Sequence, residues 1–164
     1  MRRAMLLLAA ISTVVLVAAG VALAVEKIGT NAGEKLRGTA QHDTLYGRGG
    51  NDRLVGLEEN DTLIGGSGDD KAQGGPGADE LYGTSGSDTL IGGDGNDGIY
   101  GGVGDDGELN GGAGTDDISG GWGDDVINSR DGSKDFVSCG PNQDTAFVDP
   151  EDTVSGCEIL NPPR

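Results

Sequence analysis

Residues 65–100 are four consecutive nonapeptides, which read GGSGDDKAQ (65–73), GGPGADELY (74–82), GTSGSDTLI (83–91) and GGDGNDGIY (92–100). All four have Gly at the first and fourth places, Asp at the sixth and an apolar residue at the eighth. The six turn-forming residues are followed by three that predict a short strand, whose central side chain points into a core. One such unit cannot bury this side chain alone, so the pattern predicts a stack of repeats.

The same frame extends in both directions from this stretch. Sixth-place aspartates recur every nine residues, and after one extra residue the frame resumes: Asp43, Asp52, Asp61, Asp70, Asp79, Asp88, Asp97, Asp106, Asp116 and Asp125. Asp135 and Asp144 continue it more loosely. The eighth place is apolar throughout, with Ala72 as the small exception: Leu36, Leu45, Leu54, Leu63, Leu81, Leu90, Ile99, Leu109, Ile118 and Ile127. We therefore predict an all-β repeat fold that begins near Gly29.

The composition limits the conditions under which such a stack can fold. The chain has 164 residues, of which 33 are Gly, 28 are acidic and 11 are basic, and aromatic residues make up 4 %. Without the periodicity, so little bulky apolar material and so much charge would indicate disorder. The net charge of −17 excludes a nucleic-acid partner, which needs a basic face. It also opposes a compact chain unless cations neutralise it.

The first 24 residues are predicted to be a secretory signal peptide. Two arginines precede an apolar run over residues 5–25, and Ala22-Leu23-Ala24 has the small-residue pattern of a cleavage site. An uncleaved membrane anchor is the alternative, because the run is almost long enough to span a bilayer. With cleavage after Ala24, the mature chain keeps 9 basic and 28 acidic residues, a net charge of −19. We expect it to be secreted into the extracellular space, with no membrane contact after cleavage.

The residue types of the turns favour calcium. Gly at the first and fourth places is expected to adopt positive φ and to leave carbonyl oxygens open to a ligand. Carbonyl oxygens and sixth-place carboxylates are the hard ligands that Ca²⁺ prefers, and no thiolate or imidazole cluster is present to select zinc or copper. Because Asp and Gly are also ordinary turn formers, their presence alone has a simpler explanation. The fixed sixth place over so many repeats, and the charge that needs balancing, favour calcium.

The pattern GGxGxDxUx resembles the RTX, or haemolysin-type, calcium-binding repeat. The repeats that begin at Gly65, Gly74, Gly92 and Gly101 each have its GGxGxD part. The resemblance covers roughly residues 29–128 and continues more weakly beyond. It implies a right-handed parallel β-roll, or β-solenoid, in which two nonapeptides make one 18-residue turn. It also implies that Ca²⁺ lies between turns, bound by the sixth-place aspartates and by backbone carbonyls such as those of these four glycines, from repeats n and n+2.

Several early repeats depart from this pattern. Glu59 stands at a fourth place, where positive φ would strain it, and Gln41 and Ala32 stand at two others. The first repeat has Glu34 instead of Asp, and Thr84 replaces a second-place Gly, which we expect to be a milder change. We therefore divide the mature chain into an N-terminal cap with degenerate repeats (25–46), a calcium-binding roll (47–128) and a C-terminal cap (129–164).

The C-terminal stretch resembles the closing segment of some exported bacterial proteins of this family. Its two cysteines, Cys139 and Cys157, are 18 residues apart, which is one whole turn if the roll continues. Neighbouring strands lie about 4.8 Å apart, and a disulfide needs Cα atoms roughly 4.4–6.8 Å apart. We expect a disulfide that staples the end of the solenoid; free or intermolecular thiols are the alternative.

The predicted function is that of a secreted, non-enzymatic calcium-binding protein, a stand-alone stack that serves as a structural or interaction module. Five well-formed loops at one corner enclose four gaps, and three at the other enclose two, so we expect about six calcium ions. One alternative is a carbohydrate-active enzyme that uses pairs of aspartates. His42 is the only histidine, so no nucleophile–His–Asp set can be built. Another alternative is the remnant export tail of a larger RTX protein.

Ninth-place side chains are expected to point outward and to line up on alternate repeats. One sheet would then carry Tyr46, Ile64, Tyr82 and Tyr100, and the other Arg37, Val55, Gln73, Ile91 and Asn110. The simpler interpretation of the tyrosine stripe is a cross-strand ladder that stiffens the sheet. The other is a contact surface for a cell-wall glycan or a second copy of the chain.

Overall fold

The structure, a computed structural model, describes residues 23–161. The predicted signal peptide, residues 1–24, lies almost entirely outside the described residues. Within residues 23–161 no helix is long and apolar enough to cross a membrane.

Sixteen short strands make up the secondary structure of the described residues. They are β1 Glu26–Ile28, β2 Lys35–Arg37, β3 Thr44–Gly49, β4 Arg53–Val55, β5 Thr62–Ser67, β6 Lys71–Pro76, β7 Glu80–Ser85, β8 Thr89–Asp94, β9 Gly98–Val103, β10 Glu108–Ala113, β11 Asp117–Trp122, β12 Val126–Asn128, β13 Phe136–Ser138, β14 Thr145–Phe147, β15 Thr153–Ser155 and β16 Ile159–Asn161. The odd-numbered strands form one eight-stranded parallel sheet and the even-numbered strands form the other. This confirms the all-β solenoid, with two nonapeptides in each turn.

The core lies between the two sheets and is one side chain thick. Leu45, Leu63 and Leu81 are directly opposite one another in register along the odd sheet. Each is fully buried, as are the other eighth-place residues from Leu54 to Ala146, with Ala72 only slightly less so. The predicted core is therefore confirmed, and its thinness explains why the chain needs an additional source of stability beyond apolar burial.

One extra residue in the repeat after Gly101 is absorbed outside the core. The register between neighbouring strands changes there from 18 to 19 residues, since Glu108 pairs with Thr89 and Leu109 with Leu90. Gly107 is exposed, and a side chain at that position would meet no other atom within 4 Å. Leu109 therefore keeps its place in the core, as predicted.

The predicted disulfide joins Cys139 to Cys157, whose Cα atoms are 5.1 Å apart. The register at this end is not the expected 18 residues, because Ser138 pairs with Ser155, which is 17 residues later. Cys157 thus lies one position beyond the residue that is directly opposite Cys139. The shorter last loop leaves the two side chains within reach of each other, and the bridge ties the last odd strand to the roll.

The outward-facing columns form as predicted. Tyr46, Ile64, Tyr82 and Tyr100 are in register on the odd sheet. The rings of Tyr82 and Tyr100 are stacked, with centroids 4.9 Å apart. The ring of Tyr100 also covers Gly98, where a Cβ would lie only 3.1 Å from it.

Candidate calcium sites

The sixth-place aspartates form two ladders, one along each corner of the roll. In each ladder the backbone N–H of one Asp donates to Oδ1 of the Asp in the next turn. Examples are Asp70 to Asp88, at 2.8 Å, and Asp79 to Asp97, also at 2.8 Å. One ladder runs through Asp52, Asp70, Asp88, Asp106, Asp125 and Asp144, and the other through Asp43, Asp61, Asp79, Asp97, Asp116 and Asp135.

The second carboxylate oxygen of these residues is buried and has no hydrogen-bond partner within the described chain. This holds for Oδ2 of eleven aspartates, all those of the two ladders except Asp43. All eleven side chains are at most 3 % exposed, so water does not solvate them. Eleven carboxylate oxygens that are buried without a donor are costly, and such groups are ordinarily satisfied by a bound cation.

The electrostatic consequence is a raised pKa along both ladders. Burial is the main cause, and the neighbouring carboxylates add to it. The pKa of Asp97 and of Asp106 rises to about 7, and the pKa of Asp61, Asp70 and Asp125 to about 6. At neutral pH these ladders therefore hold negative charge at high cost, and a divalent cation is the group that would offset it.

First-place glycines are required by the position of these oxygens. A Cβ on Gly65 or Gly101 would collide with Oδ2 of the Asp five residues later, Asp70 or Asp106. The expectation of positive φ at the first place is wrong, because positive φ occurs at the second and fourth places instead. Gly is needed at the first place for space and at the other two for backbone conformation.

Three residues that depart from the pattern show the cost of this conformation. Glu59, at a fourth place, has φ of 65°, as predicted, and Leu57, at the second place of the same loop, has φ of 113°. Thr84 is not the mild change expected, because a β-branched residue is held there at φ of 84°. The stacking of the loops imposes these angles even where the side chain disfavours them.

The loops stack with their carbonyl oxygens directed at the next turn. A Cβ on Gly68 would lie 2.5 Å from the carbonyl oxygen of Gly50, and one on Gly66 would collide with the carbonyl oxygen of Arg48. A Cβ on Gly47 would collide both with Oδ2 of Asp52 and with the carbonyl oxygen of Gly65, so backbone oxygens lie in the same gaps between loops as the partnerless Oδ2 atoms. The donors in each gap are all oxygens, which is the set that Ca²⁺ prefers.

These gaps differ from a metal site built from side chains alone. The described residues contain no group of three or more His, Cys, Asp or Glu side chains that could hold a metal ion. Each gap has one ladder Asp from the turn on either side, so a cation with six to eight oxygen ligands must take most of them from the backbone. The described residues therefore fit calcium, provided that backbone oxygens supply most of its ligands.

Comparison with known protein families agrees with this geometry. The model of the RTX calcium-binding nonapeptide repeat (4 copies) matches residues 28–63, 46–79, 55–90, 73–107 and 108–133. The chain belongs to the RTX calcium-binding repeat family. It is therefore a calcium-binding β-roll module. A search of curated proteins found no match to the chain.

The first two RTX repeats satisfy their carboxylates internally. Thr39, at the second place of its loop, donates its backbone N–H and its hydroxyl to the carboxylate of Asp43. Thr30 does the same for Glu34. Asp43, a candidate ligand from the sequence, is therefore the one sixth-place Asp whose Oδ2 has a partner. The partnerless oxygens begin at Asp52 and Asp61.

Two aspartates past the predicted roll share the burial and the partnerless Oδ2 of the RTX ladder aspartates. Asp135 and Asp144 are fully buried, and each has a partnerless Oδ2. Asn142 occupies the fourth place of the last of these loops with φ of 94°, a conformation that Asn tolerates. The nine-residue spacing of the two aspartates could have indicated these positions from the sequence. They are less conspicuous there because their loops lack a first-place Gly.

A further ladder at the fifth place has no signature in the RTX pattern, where this place is variable. The fifth-place N–H of one turn donates to Oδ1 of Asn or Asp in the turn before, as Ala78 does to Asn60 and Asp124 does to Asp105. These side chains are exposed. They hold adjacent loops together without contributing a buried charge.

Proposed function

We propose that this chain is an exported module whose folding is driven by Ca²⁺ binding in the gaps between its stacked loops. The observation that carries the proposal is the set of eleven buried, partnerless aspartate oxygens. In the absence of a cation, a mature chain with a net charge of −19 and a core one side chain thick cannot offset the cost of burying them. With calcium, the same oxygens become ligands.

The number of ions follows from the gaps. Six partnerless aspartates along one corner enclose five gaps and five along the other enclose four, nine in all. The six gaps between loops that have Gly at the first and fourth places are the ones we expect to bind most tightly. The other three are bordered by Asp61, Asp135 or Asp144. We therefore expect six ions at moderate calcium concentration and up to nine at saturation.

The two ends of the roll are suited to hold it together before calcium is bound throughout. At the N-terminal end, Thr30 and Thr39 donate hydrogen bonds to the first two carboxylates, so the oxygens of these turns have partners without a metal. At the C-terminal end, the disulfide closes the last turn. We propose that both ends act as caps from which calcium-dependent stacking proceeds.

Export supports a role outside the cell. Residues 1–24 have the pattern of a signal peptide, and a disulfide persists in oxidising compartments. Extracellular calcium modules bind with dissociation constants of about 10⁻⁴–10⁻³ M. The chain would therefore stay unfolded at the lower calcium concentration inside the cell and fold after export. No catalytic role is part of this proposal, because calcium would occupy the paired aspartates.

The tyrosine stripe has a structural role in this proposal. Tyr82 and Tyr100 stack on each other, and Tyr100 shields the backbone at Gly98. Cross-strand aromatic pairs of this kind stabilise a sheet. We propose that the stripe stiffens the odd sheet once calcium has aligned the strands.

Far-ultraviolet circular dichroism of the purified mature chain tests the proposal. We expect a disordered spectrum in chelator and a β spectrum in millimolar calcium, with magnesium substituting poorly because it requires tight octahedral geometry. Trp122, the single tryptophan, lies 66 % exposed on the loop that borders the gap between Asp106 and Asp125. Its fluorescence should change at the same calcium concentration. Identical spectra in chelator and in calcium would contradict the proposal.

A further inference from the structure

The outer face of the even sheet carries a row of cations on three neighbouring strands. Lys35, Arg53 and Lys71 occupy the seventh place of β2, β4 and β6 and are directly opposite one another in register. All three side chains are exposed. Arg37, at the other outward position of β2, is exposed beside them. We call Lys35, Arg53 and Lys71 the basic row.

The basic row is exceptional for this chain. Further along the same sheet the seventh place is held by Thr89, Glu108, Val126 and Thr145. Residues 25–73 contain six of the nine cations of the mature chain, whereas residues 74–164 contain 19 acidic residues and three basic ones. At the seventh and ninth places of this face, β2, β4 and β6 carry four outward-facing cations, and β8, β10, β12 and β14 carry one outward-facing acidic residue, Glu108.

Glu34 and Asp69 line a groove together with all three cations of the row, so two acidic side chains offset part of its charge. Like charges directly opposite one another destabilise a sheet, and strands about 4.8 Å apart hold these three close together. The nearby ladder carboxylates of Asp52 and Asp70 are buried beneath the loops, at 3 % and 1 % exposure. Protection of an open sheet edge would explain a lysine on β2, which is the edge strand. It does not explain Arg53 and Lys71, which lie on inner strands.

The row borders a shallow groove that is suited to a sugar acid. The groove has a volume of about 350 Å³ and is lined by Lys35, Leu36, Arg37, Arg53, Val55 and Gln73. It combines cations for carboxylates, the amide of Gln73 for hydroxyl groups and the apolar side chain of Val55 for a sugar face. This combination of a few polar groups on an apolar floor is typical of a small-molecule site.

We propose that the basic row binds an acidic polysaccharide, a polymer that carries one carboxylate on each sugar. A second copy of the chain fits less well, because its sheets offer no matching row. The acidic seventh- or ninth-place residues of residues 23–158 are Glu26, Glu80, Asp117 and Glu108, and no two of them lie on neighbouring strands. Nucleic acid, with a phosphate charge about every 1.7 Å along the duplex, would be repelled more strongly by the acidic remainder of the chain.

The experiment measures binding of a fluorescently labelled oligogalacturonate of eight sugars to the calcium-loaded chain by anisotropy. The test variant carries Arg53→Thr and Lys71→Thr, since Thr is the natural seventh-place residue of β3, β5, β8 and β14. The control variant carries Arg130→Thr and Lys134→Thr, which removes the same charge at the other end. We expect the test variant to bind about 10-fold more weakly, the control to change less than twofold, and the affinity of the unmodified chain to fall with added salt.

Three results would overturn the proposal. These are no binding of the octasaccharide by the unmodified chain, equal weakening in both variants, and tighter binding of a single-stranded oligonucleotide of the same charge. Sedimentation of the unmodified chain without the sugar tests the competing occupant, because self-association that only the test variant abolishes would assign the row to a second copy. Calcium-dependent circular dichroism verifies that both variants fold, so that a loss of binding reports on the row. This test does not depend on the calcium stoichiometry.

Discussion

Substitution of Asp106 by Asn separates the two functions of a ladder carboxylate. Oδ1 of Asp106 accepts the N–H of Asp88 at 2.9 Å, and an Asn side-chain oxygen can accept the same bond. Oδ2 is the buried oxygen without a partner, and in Asn it becomes an NH₂ group that cannot bind a cation. The variant therefore keeps the ladder bond and loses the metal ligand.

The expected magnitude follows from the position of Asp106 in its ladder. The residue borders two gaps, one towards Asp88 and one towards Asp125. A site with a dissociation constant of about 10⁻⁴–10⁻³ M contributes about 0.6–1.8 kcal/mol at 2 mM free calcium. Loss of two sites should lower the free energy of unfolding by about 1–4 kcal/mol, a large part of the 5–15 kcal/mol that is typical of a domain.

Asp105→Asn is the matched control, with the same change of charge one residue away. Asp105 is exposed, and its Oδ1 accepts the N–H of Asp124 at 2.9 Å. Asn is native in this role at other fifth places, as Asn96 accepts the N–H of Thr115. The control should therefore fold at nearly the same calcium concentration as the unmodified chain.

The assay is a calcium titration by circular dichroism, followed by urea unfolding at 2 mM calcium, for both variants and the unmodified chain. Only Asp106→Asn should need more calcium to fold and unfold at lower urea. In chelator the effect should reverse, so that Asp106→Asn shows more residual structure than the unmodified chain, because the variant removes a buried charge that opposes the compact state. Equal shifts in both variants, or none in Asp106→Asn, would refute the assignment of Oδ2 as a calcium ligand.

Three further predictions concern pH, the disulfide and the tyrosine stripe. Because burial raises the pKa of Asp97 and Asp106 to about 7, the compact calcium-free chain gains stability below pH 4 and loses it as pH rises through 7. Circular dichroism in chelator should therefore show more structure at pH 4 than at pH 8. In a calcium titration, the calcium concentration at the folding midpoint should rise as the pH falls below 7. Cys157→Ser should lower the free energy of unfolding in calcium by about 3 kcal/mol, with early proteolysis after residue 138 as the readout. Replacement of Tyr82 and Tyr100 by Ser should cost about 1–3 kcal/mol in urea unfolding and leave sedimentation unchanged; a changed oligomeric state would favour a contact surface.

The repeat frame of the sequence was sufficient to predict the core and the alignment of the sixth-place aspartates along the roll. Since a side chain at every ninth residue must return to the same environment, the eighth-place residues and sixth-place aspartates could be placed without coordinates. The reason for the first-place glycines could not, because it depends on where Oδ2 of an Asp five residues later is held. Likewise, Thr30 and Thr39 look like ordinary turn residues in the sequence. Only the structure shows that their hydroxyls donate hydrogen bonds to the carboxylates of Glu34 and Asp43.

The length of each turn was the least predictable feature, for a physical reason. Counting residues presumes that each turn has the same length, but the bonds of the ladder do not require it. The ladder N–H to Oδ1 distance is 2.8 Å for Asp79 to Asp97 across 18 residues, 2.9 Å for Asp125 to Asp144 across 19 and 3.0 Å for Asp135 to Asp152 across 17. Exposed loop residues take up the difference.

The ladder bond, and not the residue count, therefore sets the register of the roll. This explains how Glu158 can end one ladder, since its longer side chain accepts the N–H of Asp144 at 3.0 Å although it is only 14 residues away. It also explains why every ladder Asp except Asp43 needs both oxygens. One oxygen fixes the position of the neighbouring turn, and the other remains without a partner in the described chain, available to a cation. Metal binding and strand register are thus coupled through single side chains. A calcium ion in one gap should order both bordering loops and so favour binding in the next gap, which is the basis for cooperative folding in a stack of otherwise weak repeats.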